Sequence, residues 1–298
     1  MSATVDLVRP APALDLSARG GWRTLKNRLA TGLLVLSFLV VLVPLVLVIG
    51  TVILKGAKVM GLEFLTSPVA ATEQRAKGGI GPAIAGTLVI TGFATLLAVP
   101  LGLLGAIYLH EYGGTRPLAR AVRFMATVMT GVPSVVMGLF VYVVWTLRFK
   151  QAGVGGSLAL ACLMLPIIIR TTEEMLKLVP RELREAALAL GTSKSRTILT
   201  VVVPAALPGM VSGVLLAVAR AAGETAPLLF TIGAARQVNW NVFSEANTAL
   251  PSQIYANANS AFGTAQNRGW GAALALVGIA FVFTIFARVV SARFSLKR

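Results

Sequence analysis

Apolar residues fall into six runs separated by polar stretches: Leu29–Leu54, Ala83–Leu109, Phe124–Leu147, Val154–Ile169, a long stretch within Val201–Gly233, and Gly271–Val290. A helix needs about 20 mostly apolar residues to cross a bilayer, so each run predicts one spanning helix. The fourth is short and is extended through Thr172. The fifth is too long for one simple span. Proline removes a helix hydrogen bond, so Pro204 and Pro208 are expected to set its start and Pro227 a kink or end, giving a span over 208–233. The resulting class is an all-α integral membrane protein with six transmembrane helices and a cytoplasmic loop over 173–204.

The polar stretches give the orientation. Met1–Gly20, with Pro10 and Pro12, reads as a loose tail. Gly21–Arg28 reads as a short interfacial helix, with Trp22 at the headgroups and Arg23, Lys26 and Arg28 facing anionic lipid. The first apolar run is longer than a signal h-region and has no clear small-residue cleavage site. The tail, the 110–123 loop, the loop after span four and the C-terminus (291–298 with the end of span six) hold 17 of the 27 Lys and Arg residues, against eight in the other three loops. This bias predicts both termini in the cytoplasm. The outer loops are then Lys55–Pro82, Arg148–Gly153 and Ala234–Trp270.

Composition agrees with the pattern. Hydrophobic residues are 56% and charged residues 13% of the 298, and the mean hydropathy is +0.81. A disordered chain or an ordinary soluble enzyme has far more charge. The net charge of +16 does not point to nucleic acid, because the cations lie in short loops and form no single stripe. One cysteine, Cys162, and one histidine, His110, exclude a CxxC motif and make no zinc site. Cys162 reads as packing, and His110-Glu111-Tyr112 as anchoring at a helix end. Gly191-Thr192-Ser193-Lys194-Ser195 lacks phosphate-loop spacing, so ATP, if it is used, binds another polypeptide.

Pro180–Gly191 predicts a short cytoplasmic helix. Pro180 suits its first turn, Glu182 and Glu185 suit the positive end of its dipole, and Gly191 suits its C-terminal cap. Leu183, Ala186, Ala187 and Leu190 recur at i, i+3, i+4, i+7 and share one face; Arg181 and Arg184 lie largely elsewhere. Such a helix is marginal alone. It either rests on its own membrane domain or docks into a partner's groove.

Arg220 falls inside the fifth run, and Glu224 lies one turn on. At 100° per residue, Gly209, Gly213, Ala217, Arg220 and Glu224 share a sector of about 80°. Small residues at this spacing admit a second helix closely. The pair is either a structural bridge between subunits or part of an anion pathway, because intramembrane charge is expensive. Arg170 is either interfacial or part of the same pathway. Gly131–Gly138 is a hinge candidate. Pro251-Ser252-Gln253-Ile254-Tyr255 predicts a short interfacial helix in an outer loop that also carries Trp240, Phe243 and Phe262.

Glu185-Ala186-Ala187, Gly191, Val201, Val203 and Pro204 stand at the spacing of the EAA motif and resemble that of type I ABC importer permeases. Three further phrases extend the resemblance: Gly78–Leu88, Thr130–Phe140 and Ala219–Phe230. Together they are similar to the PstA family of phosphate-specific ABC importers, from about Leu29 to the C-terminus. The resemblance implies a type I importer permease fold and a non-catalytic subunit in the cell inner (plasma) membrane. It implies a PstC-type permease as heterodimer partner, two PstB-type ATPases and a PstS-type phosphate-binding protein. It implies that Arg181, Leu183, Glu185, Ala186, Ala187, Leu190 and Gly191 meet an ATPase. ATP and magnesium belong to that ATPase, and this chain binds no cofactor or metal. Arginine suits phosphate because its guanidinium can bind the oxygens bidentately, with Glu224 holding Arg220 between turnovers. Another oxyanion, such as molybdate or sulfate, or an ATP-independent carrier or channel, remain the alternatives.

Overall fold

A computed structural model describes residues 22–74 and 77–294. The tail over 1–20 and Gly21 lie outside the described residues. Contacts divide the chain into two units, with the boundary after Gly50.

The first helix, α1 (Trp22–Gly56), runs 35 residues. The sequence pattern separated an interfacial helix from the first span. The structure makes Trp22–Arg28 the opening turns of the same helix, because no glycine or proline stands between them to break it. Its apolar side chains between Leu29 and Val48, the half-buried Leu42 aside, are exposed, as lipid-facing side chains are in a chain taken alone.

From Thr51 onward the elements are α2 (Leu62–Thr66), α3 (Gly81–Ile107), α4 (Pro117–Gly131), α5 (Ser134–Val141), α6 (Leu147–Phe149), α7 (Gly153–Lys177), α8 (Arg181–Ala189), α9 (Lys194–Thr197), α10 (Val203–Ala222), α11 (Ala226–Thr231), α12 (Leu250–Ala258) and α13 (Gly263–Phe294). Three π-helical segments interrupt the sequence of α-helices: Tyr108–Gly113 after α3, Tyr142–Thr146 between α5 and α6, and Ile198–Val202 between α9 and α10. Five helices, α1 and α13 among them, are long and apolar enough to cross a membrane, and the bent pair α4 with α5–α6 makes a sixth span if taken as one.

Two expected spans are built differently. The run over 124–147 was expected as one span with a hinge candidate at Gly131–Gly138. It straddles the break of a pair, Pro117–Gly131 and Ser134–Phe149, bent by 108°. Val132 and Pro133 lie between the two, and both are extended, with ψ of 125° and 136°. Proline restricts its predecessor to that region, so the bend falls inside the predicted hinge. The fifth span was expected to start at Pro208. Instead helix begins at Lys194 and runs through the π segment into α10. Pro204 sits in the first turn of α10, where a missing N–H is tolerated, and the preceding π turn absorbs the mismatch. Pro208 is internal, and Ser212 Oγ donates to its carbonyl at 3.0 Å.

The main core joins α3, α7 and α10. Ile90, Ala94 and Ala98 of α3 pack with Leu160, Met164 and Ile168 of α7 and with Ala217 and Ala221 of α10. Without a hydrophobic drive inside lipid, close packing of small residues holds such helices together. Gly102 admits Ile168: a Cβ there would stand 2.7 Å from its side chain.

The third outer loop is a packed element. Gly153 N donates to Asn247 Oδ1 at 2.9 Å and Val154 N to Val242 O at 2.7 Å, satisfying orphan donors that begin α7. Leu250 N donates to Thr87 Oγ1 at 2.8 Å, and Gln253 Nε2 to Gly79 O at 3.3 Å. The helix expected at the interface is therefore buried along Leu250–Gln253, against α3 and α13.

Candidate functional site

Helix α8 spans Arg181–Ala189. Gly191 takes φ of +80°, the left-handed cap that glycine adopts without a Cβ penalty. Its N–H reaches Leu188 O at 2.9 Å, and Thr192 Oγ1 donates to Ala187 O at 2.6 Å. The apolar ridge divides. Ala187 is buried against its own chain, while Leu183, Ala186 and Leu190 are exposed, Leu190 to 85%. Arg181 and Glu185 are exposed as well.

The small-residue stripe on α10 packs on α7 of the same chain. A Cβ on Gly213 would stand 2.6 Å from Thr171 Oγ1, and one on Gly209 would meet Met175. Ala217 is buried in the core these helices share. Further out, Gly156 of α7 packs against Leu228 and Ile232. This antiparallel register places Arg220 opposite Met164, near the middle of α7.

The expected continuous helix through Glu224 does not exist. α10 ends at Ala222, Gly223 caps it, and α11 starts at Ala226. Arg220 lies in the last turn, where a cation complements the negative end of the dipole. Glu224 follows in the break, its N–H bonded to Ala221 O at 3.1 Å. Arg220 Nε stands 3.6 Å from Glu224 Oε1, with side chains 70% and 19% exposed. An ion pair thus flanks the break between α10 and α11, level with the middle of α7.

Arg170 is not brought to this pair. It pairs with Glu174 at 3.4 Å. On the same register it lies about 9 Å nearer the α8 end, six residues at the helical rise. It lines a cavity of about 200 Å³ with Arg123, Thr127, Glu173, Glu174 and Lys177.

Arg123 carries more than its place in a polar loop foretold. Its Nε donates to Glu173 Oε1 at 2.8 Å, Nη1 to Gly114 O at 3.0 Å and Nη2 to Leu109 O at 2.6 Å. It ties α4 to α7 and to the end of α3. The only sequence signal was opposite charge fifty residues away, which fixes no partner. Among the described residues, no three His, Cys, Asp or Glu side chains gather as metal ligands.

Residues 98–296 match the family of binding-protein-dependent transport system inner membrane components. Solved structures share the fold. A bacterial ABC transporter importing the acidic polysaccharide alginate gives a TM-score of 0.66 at 15% identity, over 92% of this chain and 100% of that one. The inward-facing MetNI methionine ABC transporter gives 0.59 at 17% identity, over 73% and 95%. The chain belongs to this family: it is an all-α, multi-pass membrane permease of the type I ABC importer class, a transport component and not an enzyme, working within a multi-subunit system. Within that class the chain is similar to PstA phosphate transport system permeases. The one from Mycobacterium leprae is 42% identical, over 91% of this chain and 90% of its own. The one from Yersinia pestis is 39% identical, over 97% and 98%.

Proposed function

We propose that this chain is one half of the membrane pathway of an ATP-driven importer carrying inorganic phosphate across the inner membrane. The carrying observation is α8, a capped helix at one end of the span whose Leu183, Ala186 and Leu190 are uncovered. An apolar ridge on a short helix fits a groove on a partner, and the EAA-like spacing supports an ATPase as that partner. Lys and Arg bias supports α8 lying in the cytoplasm.

The cargo reading is supported by the relatives, named as phosphate permeases, and by the Arg220–Glu224 pair. A guanidinium exposed at the helix break offers a fork to phosphate oxygens. Glu224 competes for it and keeps phosphate binding weak enough for release. A PstC-type permease completes the pathway opposite Arg220, two PstB-type ATPases hold ATP and magnesium, and a PstS-type protein delivers phosphate from outside.

The test is uptake of labelled phosphate at low external concentration in cells lacking the chain and in cells with it restored. Uptake that returns with the wild type, resists excess sulfate and molybdate, and fails with Glu185→Lys supports the reading. Uptake independent of the chain, or abolished by those competitors, moves the cargo to another solute.

A further inference from the structure

Of the side chains of α8, only Arg184 and Ala187 are drawn in against the chain. Ala187 offers a methyl contact, which has no direction. Arg184 offers a directed one. Its Nη2 donates to Leu176 O, in the last turn of α7, at 2.8 Å. The same nitrogen stands 3.3 Å from Glu111 Oε1 and 3.3 Å from His110 Nε2. His110 and Glu111 belong to the π-helical segment that ends α3.

A second cation converges on this segment from the element after α8. Lys194, the first residue of α9, donates to Glu111 O and stands 4.8 Å from the Tyr112 ring centroid. Cations at exposed carbonyls are favoured at helix C-termini. The Arg184 and Glu111 side chains are only 22% and 8% exposed, so salt screens their attraction little. Arg184 Nε and Glu111 Oε1 are nevertheless buried without a hydrogen bond. The pair is held by charge and has donors and acceptors left with which to close into a fork.

We infer that Arg184 and Glu111 form the relay that carries movement of α8 into α3. The inference rests on reading α8 as the ATPase-docking helix. When a partner displaces α8, the ion pair takes the end of α3 along. A π turn there accommodates a shift of register. α3 supplies Ile90, Ala94 and Ala98 to the core shared with α7 and α10, so the displacement reaches the helix that bears Arg220. Arg184 and Glu111 are positioning residues: neither touches phosphate or nucleotide.

The test uses the complete importer, reconstituted with its ATPase and binding protein, with ATP hydrolysis and labelled phosphate uptake measured in the same vesicles. Glu111→Gln and Arg184→Gln are expected to retain the ATPase subunits and hydrolyse ATP, while phosphate moved per ATP falls about tenfold. The exchange Glu111→Arg with Arg184→Glu restores part of that ratio. A purely structural pair would lower assembly, hydrolysis and uptake together. A tether provides the second arm. In a Cys162→Ser background, Glu111→Cys with Arg184→Cys should be poorly coupled when reduced and should regain coupling when a short thiol-reactive linker joins the two. Single variants with the wild-type ratio, or a tether that restores nothing, overturn the relay. Leu183→Asp separates the two readings: if it keeps its ATPase and full coupling, the docking role of α8 is what fails.

Discussion

Gly86 and Gly138 stand where two backbones nearly touch. A Cβ on Gly86 would collide with Thr248 O, and one on Gly138 would stand 2.5 Å from Pro227 Cα. Backbone cannot step aside as a long side chain can. Gly86→Ala should therefore cost about 1–3 kcal/mol by overpacking, read as a lower thermal midpoint of the purified chain in detergent. Gly92→Ala, with nothing within 4 Å of its Cβ, should hold or slightly raise that midpoint, because alanine is the better helix former. Arg123 makes a second prediction at this scale. Removing it by Arg123→Met strands Glu173, which is 8% exposed, with Lys177 at 3.9 Å as the remaining cation. The pair is only partly buried, the Arg123 side chain being 34% exposed, so stranding the carboxylate should cost about 1–3 kcal/mol. Adding Glu173→Leu should recover much of the loss, because an apolar pair leaves no charge uncompensated. The same unfolding measurement reads both variants.

At the scale of elements, α8 is where fold and function meet. Leu190 is 85% exposed and Leu183 about half exposed, so Leu183→Asp should cost the permease little stability. It should weaken retention of the ATPase about tenfold, the equivalent of about 1.4 kcal/mol, measured by co-purification. What was legible in the sequence divides along the same lines. The α8 helix could be read from Pro180, the i, i+3, i+4, i+7 ridge and Gly191, because every signal is local. The break after Ala222 could not. Arg220 and Glu224 satisfy an i, i+4 pairing whether or not the helix continues, and Gly223 is tolerated within a helix. The start of the fifth span at Lys194 was hidden for a related reason: Pro204 reads as the start of a helix, and nothing in the sequence marks the π turn over Ile198–Val202 that joins it to the helix before. Proline at position 133 marked the break between α4 and α5, yet the apolar run across it gave no measure of the 108° bend. The Arg123–Glu173 and Arg184–Glu111 pairs depend on tertiary packing, and periodicity says nothing about those.

For the molecule as a whole, the claim is a directed pathway: α8 in the cytoplasm, Arg220 at mid-depth, and the 234–262 loop outside. Orientation is testable by itself. In a Cys162→Ser background, Ser244→Cys should react with a membrane-impermeant thiol reagent in intact cells, and Ser193→Cys only after lysis; both positions are exposed. The reverse pattern would invert the topology. Every functional assignment then depends on whether ATP moves phosphate past Arg220. The most direct measurement is accumulation of labelled phosphate by vesicles holding the complete importer, loaded with ATP on the α8 side and supplied with binding protein on the other. The account predicts accumulation that requires ATP, and a fall of tenfold or more with Arg220→Ala while the ATPase stays bound. Accumulation without ATP, or at the wild-type rate with Arg220→Ala, would contradict it.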